Sequence, residues 1–110
     1  MKTYRLEIVT PAQRELEEIA RVHLDLVGPV SARKITDQIY GSLERLKTFP
    51  MSGSLPRDRY LREAGYRFLI SGKYICMYRL IEDTVFVNHI VHGATDYPRL
   101  LKTLRDVPDP

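Results

Sequence analysis

Five side chains in the second half of the sequence have the chemistry needed to cleave RNA. Arg67, Lys73 and Arg79 fall on neighbouring predicted strands, and His92 and Tyr97 follow at the exit of the last one. Attack of a ribose 2′-hydroxyl on its phosphate needs a base, an acid and cations, and a tyrosine can also stack on a nucleobase. Because neighbouring strands bring side chains within several ångströms, we expect these groups to meet at the sheet's end. The structural alternative is that Tyr97 packs on a final helix and His92 hydrogen-bonds a turn.

Positive charge is concentrated in one segment of the chain. Residues 57–79 contain six basic and two acidic side chains, a local charge of +4, whereas the remainder carries −1. The total of +3 is too small by itself to indicate a nucleic-acid binder. Two interpretations stay open for this segment: a solvated loop and edge strand, or a surface that binds a polyanion. The side chains that would bind nucleic acid are Arg57, Arg59, Arg62 and Lys73.

The sequence predicts no metal site and no cofactor site. It has no phosphate-binding glycine loop and no HExxH motif, and Cys76 is its single cysteine. His23 lies on an apolar helix face and is expected in the core or at its boundary, while His89 and His92 lie three apart on a strand and should point to opposite faces. No apolar run is long enough to cross a membrane, and the N-terminus lacks the apolar core of a signal peptide. We therefore expect a cytoplasmic protein with no membrane partner.

The first half of the chain predicts a strand followed by a pair of helices. Residues 3–9 alternate between apolar and polar side chains, which is typical of a strand with one face against the core. A helix follows, with Thr10 as the expected N-cap and Gln13 completing a capping box. The helix ends at Gly28-Pro29, and a second one ends before Pro50. The short link between the helices predicts an antiparallel hairpin.

The second half predicts a loop, three strands and a short last helix. Residues 50–64 are rich in glycine, proline and arginine, which favours an exposed loop containing a short helical turn. Short links between the strand-like runs favour an antiparallel meander without parallel strands. The class is therefore α+β in a single domain, residues 1–110. The predicted strands are 66–71, 74–81 and 85–92, and the apolar positions of the last helix are Leu100, Leu101 and Leu104.

The order of these elements and several short motifs resemble the toxins of the RelE/ParE superfamily, which often end in a YR…HGxxDY pattern. The likeness extends from about Tyr4 to Leu104, and its N-terminal half has the matching strand, Thr-Pro helix start, two helices and Phe49-Pro50 exit. The matching motifs are Gly65-Tyr66-Arg67, Met77-Tyr78-Arg79, Ile90-Val91-His92-Gly93 and Asp96-Tyr97.

This resemblance implies the toxin of a type II toxin–antitoxin module, a class linked to plasmid stabilisation and growth inhibition. Its implied fold is a small curved antiparallel sheet against a helix hairpin. Its implied partner is an antitoxin that wraps the toxin and suppresses it. Members of the superfamily either cut ribosome-bound mRNA, as RelE-like toxins do, or inhibit DNA gyrase, as ParE-like toxins do.

The sequence departs from the RelE-like nucleases at informative positions. Ala94 and Thr95 stand where many relatives carry basic residues, and Ile75 lies near the position of an arginine that the nucleases use. These departures favour ParE-like gyrase inhibition, or a weakened toxin, over mRNA cleavage. A third hypothesis is a non-toxic basic adaptor that binds RNA. The matched positions that remain as catalytic candidates are Arg67, Arg79, His92 and Tyr97.

Overall fold

The computed structural model describes residues 2–93, which form a four-stranded sheet with helices packed against it. The predicted strand, helix pair and three-stranded meander are all present, so the α+β architecture is confirmed. The predicted last helix, at Leu100–Leu104, lies outside the described residues. In chain order the elements are β1 (Arg5–Ile8), α1 (Thr10–Leu26), α2 (Pro29–Glu44), a 3₁₀ turn (Arg45–Lys47), α3 (Arg59–Glu63), β2 (Tyr66–Ser71), β3 (Tyr74–Ile81) and β4 (Thr84–His92).

The strands lie in the order β1-β4-β3-β2. β2, β3 and β4 form the predicted antiparallel meander. β1, however, pairs with β4 in parallel, with Arg5 opposite Thr84 and Ile8 opposite Val87, and this corrects the expectation of a sheet without parallel strands. Parallel neighbours need a long connection, and here the helices and the first two strands of the meander supply it.

A two-residue turn sets the register of the β2–β3 hairpin. Gly72 has φ +58°, in the left-handed region that glycine enters without a steric penalty. Ser71 therefore lies opposite Tyr74, and each following pair is fixed in turn, so that Arg67 lies opposite Tyr78. Paired residues share a face of the sheet, which means that this turn decides the face on which each arginine of the hairpin lies.

The start of α1 differs from the prediction in its cap. Val9 is the N-cap residue, and Thr10 is already helical and exposed, so the predicted Thr10 cap is wrong. Proline is tolerated in the first turn because the main-chain N–H that it lacks would have no helical partner there. The Gln13 side chain reaches back past the cap and donates a hydrogen bond to the carbonyl oxygen of Ile8, 2.6 Å away.

Two apolar clusters cover the two faces of the sheet. The larger one joins α1 and α2 to one face, where Leu16, Ile39 and Tyr78 are buried. The smaller one joins α3 to the other face through Leu61, Tyr66 and Met77. Burial of these apolar side chains is the main term that holds both helical layers on the sheet.

Candidate functional site

Arg67, on β2, holds the loop that precedes α3. It lies opposite Tyr78 on the face covered by α1 and α2. Its Nη1 atom donates hydrogen bonds to the carbonyl oxygens of Met51, at 3.2 Å, and Gly53, at 2.9 Å. The N–H of Gly53 in turn donates to the hydroxyl oxygen of Tyr78, 2.9 Å away. The Arg67 guanidinium therefore holds the main chain of this loop in place.

Arg79, on β3, lies on the opposite face of the sheet. It pairs in register with Tyr66, which belongs to the cluster under α3. Its guanidinium carbon is 4.8 Å from the centroid of the Tyr66 ring, a cation–π geometry that holds the side chain against this cluster. Arg67 and Arg79 are therefore separated by the sheet, and the expectation that they converge on one site is wrong.

Lys73 and His92 lie at the opposite end of the sheet from Arg67 and Arg79. Lys73 is in the β2–β3 turn, where its carbonyl accepts a hydrogen bond from Gly93 N–H at 2.7 Å. The His92 ring packs edge-on against the Tyr74 ring, with centroids 5.4 Å apart. From Tyr74 to Arg79 β3 advances by five residues, about 17 Å at about 3.4 Å per residue.

The predicted catalytic set is consequently not assembled within residues 2–93. Arg67 and Arg79 lie at one end of the hairpin on different faces, and His92 lies at the other end. Tyr97 falls outside the described residues.

The four predicted nucleic-acid-binding side chains occupy two separate places. Arg57, Arg59 and Arg62 lie on and before α3, whereas Lys73 lies beyond the far end of β2. Arg59 is paired with Glu63 at 2.9 Å. Arg62 reaches back to the carbonyl oxygens of Pro56 and Arg57 at 3.5 and 3.4 Å. All four residues are exposed. The basic surface is therefore a short patch around α3.

A polar contact that the sequence did not reveal joins α1, α2 and β3. His23 Nε2 lies 3.0 Å from the hydroxyl oxygen of Tyr74, and His23 Nδ1 lies 3.2 Å from Ser31 Oγ. Burial raises the pKa of the Tyr74 hydroxyl, so this group stays protonated. The predicted boundary position of His23 is confirmed, because the side chain is half-buried between polar partners.

A second unpredicted contact fastens α1 to β4. The Glu15 carboxylate accepts a hydrogen bond from the main-chain N–H of Ile90 at 3.1 Å, and its Oε1 lies 3.1 Å from His89 Nδ1. Both side chains are mostly buried, at 27% and 17% exposure. A bulge places Asn88 as an extra residue in β4 just before this point, since Val87 pairs with Tyr78 and His89 with Met77.

The same region contains an apolar groove. It measures about 490 Å³ and runs between α1 and the end of β4. Its lining includes Arg14, Ile19, Val22, Ile90, Val91 and His92.

The described residues were also compared with what a metal site or a reactive thiol requires. Residues 2–93 hold no group of three histidine, cysteine, aspartate or glutamate side chains placed to bind a metal ion. Cys76 is fully buried, and burial raises the pKa of its thiol to about 12, which keeps it protonated and unreactive. Across the same residues, none of the helices has the length and apolar character needed to span a membrane.

Comparison with solved structures finds the same fold in chains of toxin–antitoxin systems. The chain is similar to a protein of the chromosomal ParDE toxin–antitoxin system from P. aeruginosa, with a TM-score of 0.70 and 18% identity over 84% of this chain and 98% of that one. It is also similar to a chain of the RelBE2 toxin–antitoxin complex from Mycobacterium tuberculosis, with a TM-score of 0.63 and 21% identity over 86% and 97% of the two chains.

A third solved structure extends the likeness to RelE itself. A double arginine-to-alanine mutant of the E. coli toxin RelE in the free state aligns with a TM-score of 0.62 and 15% identity, over 96% of this chain and 99% of that one. At such identities the comparisons show a shared fold. Comparison with curated proteins gives no significant match.

Comparison with protein families is more specific. The family described as the ParE toxin of the type II toxin–antitoxin system, parDE, matches residues 6–97. The matched region includes all the strands and helices of the described structure except the first residue of β1. With this match and the shared fold, the chain belongs to the ParE toxin family of type II toxin–antitoxin systems, within the RelE/ParE superfamily.

Proposed function

We propose that this chain is the growth-inhibiting toxin of a type II toxin–antitoxin module, that it acts as a ParE-like inhibitor of DNA gyrase, and that an antitoxin neutralises it. Because gyrase works on chromosomal and plasmid DNA, the toxin would act in the cytoplasm. Such a module would serve plasmid stabilisation, as the family resemblance implies.

The observation that carries the choice of gyrase is the separation of the catalytic candidates. A nuclease of the RelE type needs its cations and its proton-transferring groups around one phosphate. Here Arg67 is bonded to loop carbonyls on one face, and Arg79 packs on Tyr66 on the other. His92 lies at the opposite end of the hairpin. A protein that acts by binding needs no such convergence, so this arrangement supports inhibition of a target protein.

An antitoxin partner is supported by the family and by charge. The P. aeruginosa ParDE and M. tuberculosis RelBE2 structures are described as a toxin–antitoxin system and a toxin–antitoxin complex. The present chain has its excess of positive charge in residues 57–79, and part of it forms the patch around α3. An acidic polypeptide that folds on binding would be attracted to this patch.

The experiment is induced expression of the full chain in cells that lack the antitoxin. We expect growth arrest and a reporter plasmid that loses negative supercoils, with both effects reversed by co-expression of a small acidic protein encoded beside the gene. If growth stops while plasmid topology is normal and mRNAs acquire cuts at ribosome-bound codons, the chain is a RelE-like endonuclease instead. If the cells grow normally, the non-toxic RNA-binding adaptor is the better hypothesis.

Two substitutions distinguish the RelE-like alternative from gyrase inhibition. Under gyrase inhibition, His92→Ala and Tyr97→Phe should leave the growth arrest in place, since neither side chain would transfer a proton. Under mRNA cleavage, either substitution should abolish the cuts. Lys34→Ala serves as the control, because it removes an exposed cation from α2 that belongs to none of the candidate sets.

A further inference from the structure

Three large apolar side chains are exposed on the loop between the 3₁₀ turn and α3. Phe49 is 58% exposed, Met51 is 60% exposed and Leu55 is 53% exposed. Phe49 and Met51 also line an apolar groove of about 530 Å³, together with Tyr4, which precedes β1. A single exposed apolar side chain is ordinary on a protein surface, but several of them beside one groove are typical of an interaction site.

The main chain of this loop is already ordered. Arg67 donates hydrogen bonds to the carbonyl oxygens of Met51 and Gly53. Ser54 exchanges two main-chain hydrogen bonds with Phe68 at the edge of β2, at 2.8 and 2.9 Å. A preorganised surface loses less conformational entropy when a partner binds, so the same contacts give a higher affinity. The exposed apolar side chains are therefore displayed in a form suited to binding.

The loop is bordered by two guanidinium groups that could receive carboxylates from a partner. Among residues 2–93, neither Arg57 nor Arg62 makes an ion pair, and the Arg62 side chain donates only to main-chain carbonyls. The acidic side chains nearby are engaged within the fold: Glu44 with Lys47, Asp83 with Lys2, Glu63 with Arg59, and Asp58 with the N–H of Leu61. Carboxylates on a partner would therefore find cations that the chain itself leaves uncompensated.

This combination of groups fits a folded protein better than it fits other partners. A nucleic-acid backbone would satisfy the arginines, but its phosphates and sugars offer no apolar group to cover Met51 and Leu55. A second copy of the chain would bring Arg57 against the same residue of its partner across a two-fold axis. Protein interfaces, in contrast, are enriched in exactly these side-chain types, with aromatic residues, methionine and arginine prominent.

We propose that the loop surface, formed by Phe49, Met51, Leu55, Arg57 and Arg62, is where the toxin binds DNA gyrase. An apolar side chain of the enzyme enters the groove beside Phe49, and carboxylates of the enzyme pair with Arg57 and Arg62. The inference rests on the proposed function and specifies the surface that performs it. Because the patch around α3 adjoins the loop surface, an acidic antitoxin drawn to that patch would keep the target away.

The test measures the concentration of purified full chain that half-inhibits gyrase supercoiling of relaxed plasmid. Met51→Asp and Arg57→Glu should each raise this concentration about tenfold or more, as central contacts do. Val30→Asp and Lys34→Glu are the matched controls, because they place the same charges at exposed positions on α2, and they should change it less than about twofold. A thermal melt accompanies each variant, and Arg57→Glu keeps the test decisive if Met51→Asp fails to fold.

The results separate the loop surface from the proposed function. If the unsubstituted chain does not inhibit gyrase, the proposed function fails. If it inhibits gyrase and all four variants do so equally, the proposed function stands and the proposal for the loop surface is overturned. The proposal is also overturned if Val30→Asp weakens inhibition as much as Met51→Asp does, because the contact then lies at the tip of the helix hairpin.

Two further titrations distinguish the other partners. The first uses duplex DNA alone: if the chain binds it, and only Arg57→Glu weakens both this binding and the inhibition of gyrase, the surface binds nucleic acid and the proposal fails. The second uses the acidic protein encoded beside the gene. If Met51→Asp and Arg57→Glu weaken its binding but leave the inhibition of gyrase unchanged, the surface belongs to the antitoxin and the proposal fails as well.

Discussion

The hydroxyl of Tyr78 accepts a hydrogen bond from the main-chain N–H of Gly53, 2.9 Å away. Tyr78 is fully buried between the sheet and the helix hairpin. Gly53 belongs to the loop that carries the chain from the 3₁₀ turn to the basic patch on α3, and the next residue, Ser54, forms a bridge with Phe68 on the outer edge of β2. The position of the basic patch therefore depends on how closely this loop packs.

Replacement of Gly53 by alanine should destabilise the fold by about 1–3 kcal/mol. A Cβ there would lie 2.6 Å from the Tyr78 hydroxyl and 2.7 Å from the carbonyl oxygen of Phe68, which is main chain and cannot move away cheaply. Urea unfolding measures the change. Gly41→Ala is the control, because its Cβ would meet nothing within 4 Å and alanine favours the α2 helix by up to about 1 kcal/mol. Equal effects at the two positions would contradict this account of the loop.

Arg67→Met should loosen the loop without removing toxicity. The substitution keeps the aliphatic stem but loses the donors to the carbonyls of Met51 and Gly53, at a cost of about 1–3 kcal/mol. We expect faster hydrogen exchange over residues 50–54 and a smaller effect for Arg67→Lys, which retains a donor. If toxicity is lost while stability and hydrogen exchange are unchanged, Arg67 instead contacts the target protein or an RNA substrate.

Glu15→Ala should release the end of β4 from α1. The N–H of Ile90 would lose its acceptor in a largely buried place, at a cost of about 1–3 kcal/mol. The expected signature is faster exchange of the Ile90 amide, measured by NMR. Glu17→Ala removes the same charge from an exposed position of α1 and is the control. The account is wrong if both variants change this amide equally.

Stability should fall at alkaline pH because of Cys76. Its thiol has an ordinary pKa of 9.0 that burial raises to about 12 in the fold, so between these values the unfolded chain releases a proton that the folded chain keeps. The stabilisation is complete below the lower value and is lost as pH rises toward the upper one. Between about pH 8 and about pH 10.5, the free energy of unfolding should fall more for the natural chain than for Cys76→Ala. Identical losses would show that another group is responsible.

The fold was predictable where local patterns decide it. Alternation and short links located the meander, and Gly28-Pro29 located the end of α1. The side by side placement of β1 and β4 was not predictable in the same way, because no short turn connects them and hydrophobic pattern alone does not give strand direction. The predicted Thr10 cap was wrong because the helix begins one residue earlier than expected, with Val9 as its N-cap. The Gln13 side chain bonds to the Ile8 carbonyl oxygen there.

The candidate site was less predictable, although part of its geometry was implicit in the sequence. A two-residue turn at Gly72-Lys73 places Arg67 opposite Tyr78, and strand alternation then puts Arg79 on the other face. The two arginines lie on opposite faces as a direct consequence of this turn and of strand alternation. The Glu15–Ile90 contact depends on how α1 lies across the sheet and on the bulge at Asn88, which no local pattern indicates.

The most direct test of the central claim is gyrase supercoiling of relaxed plasmid in the presence of the purified chain. The chain should inhibit supercoiling more strongly as its concentration rises, and the inhibition should disappear when the acidic protein encoded beside its gene is added. The same preparation should leave ribosome-bound mRNA intact. Undiminished supercoiling together with cut mRNA would contradict the central claim.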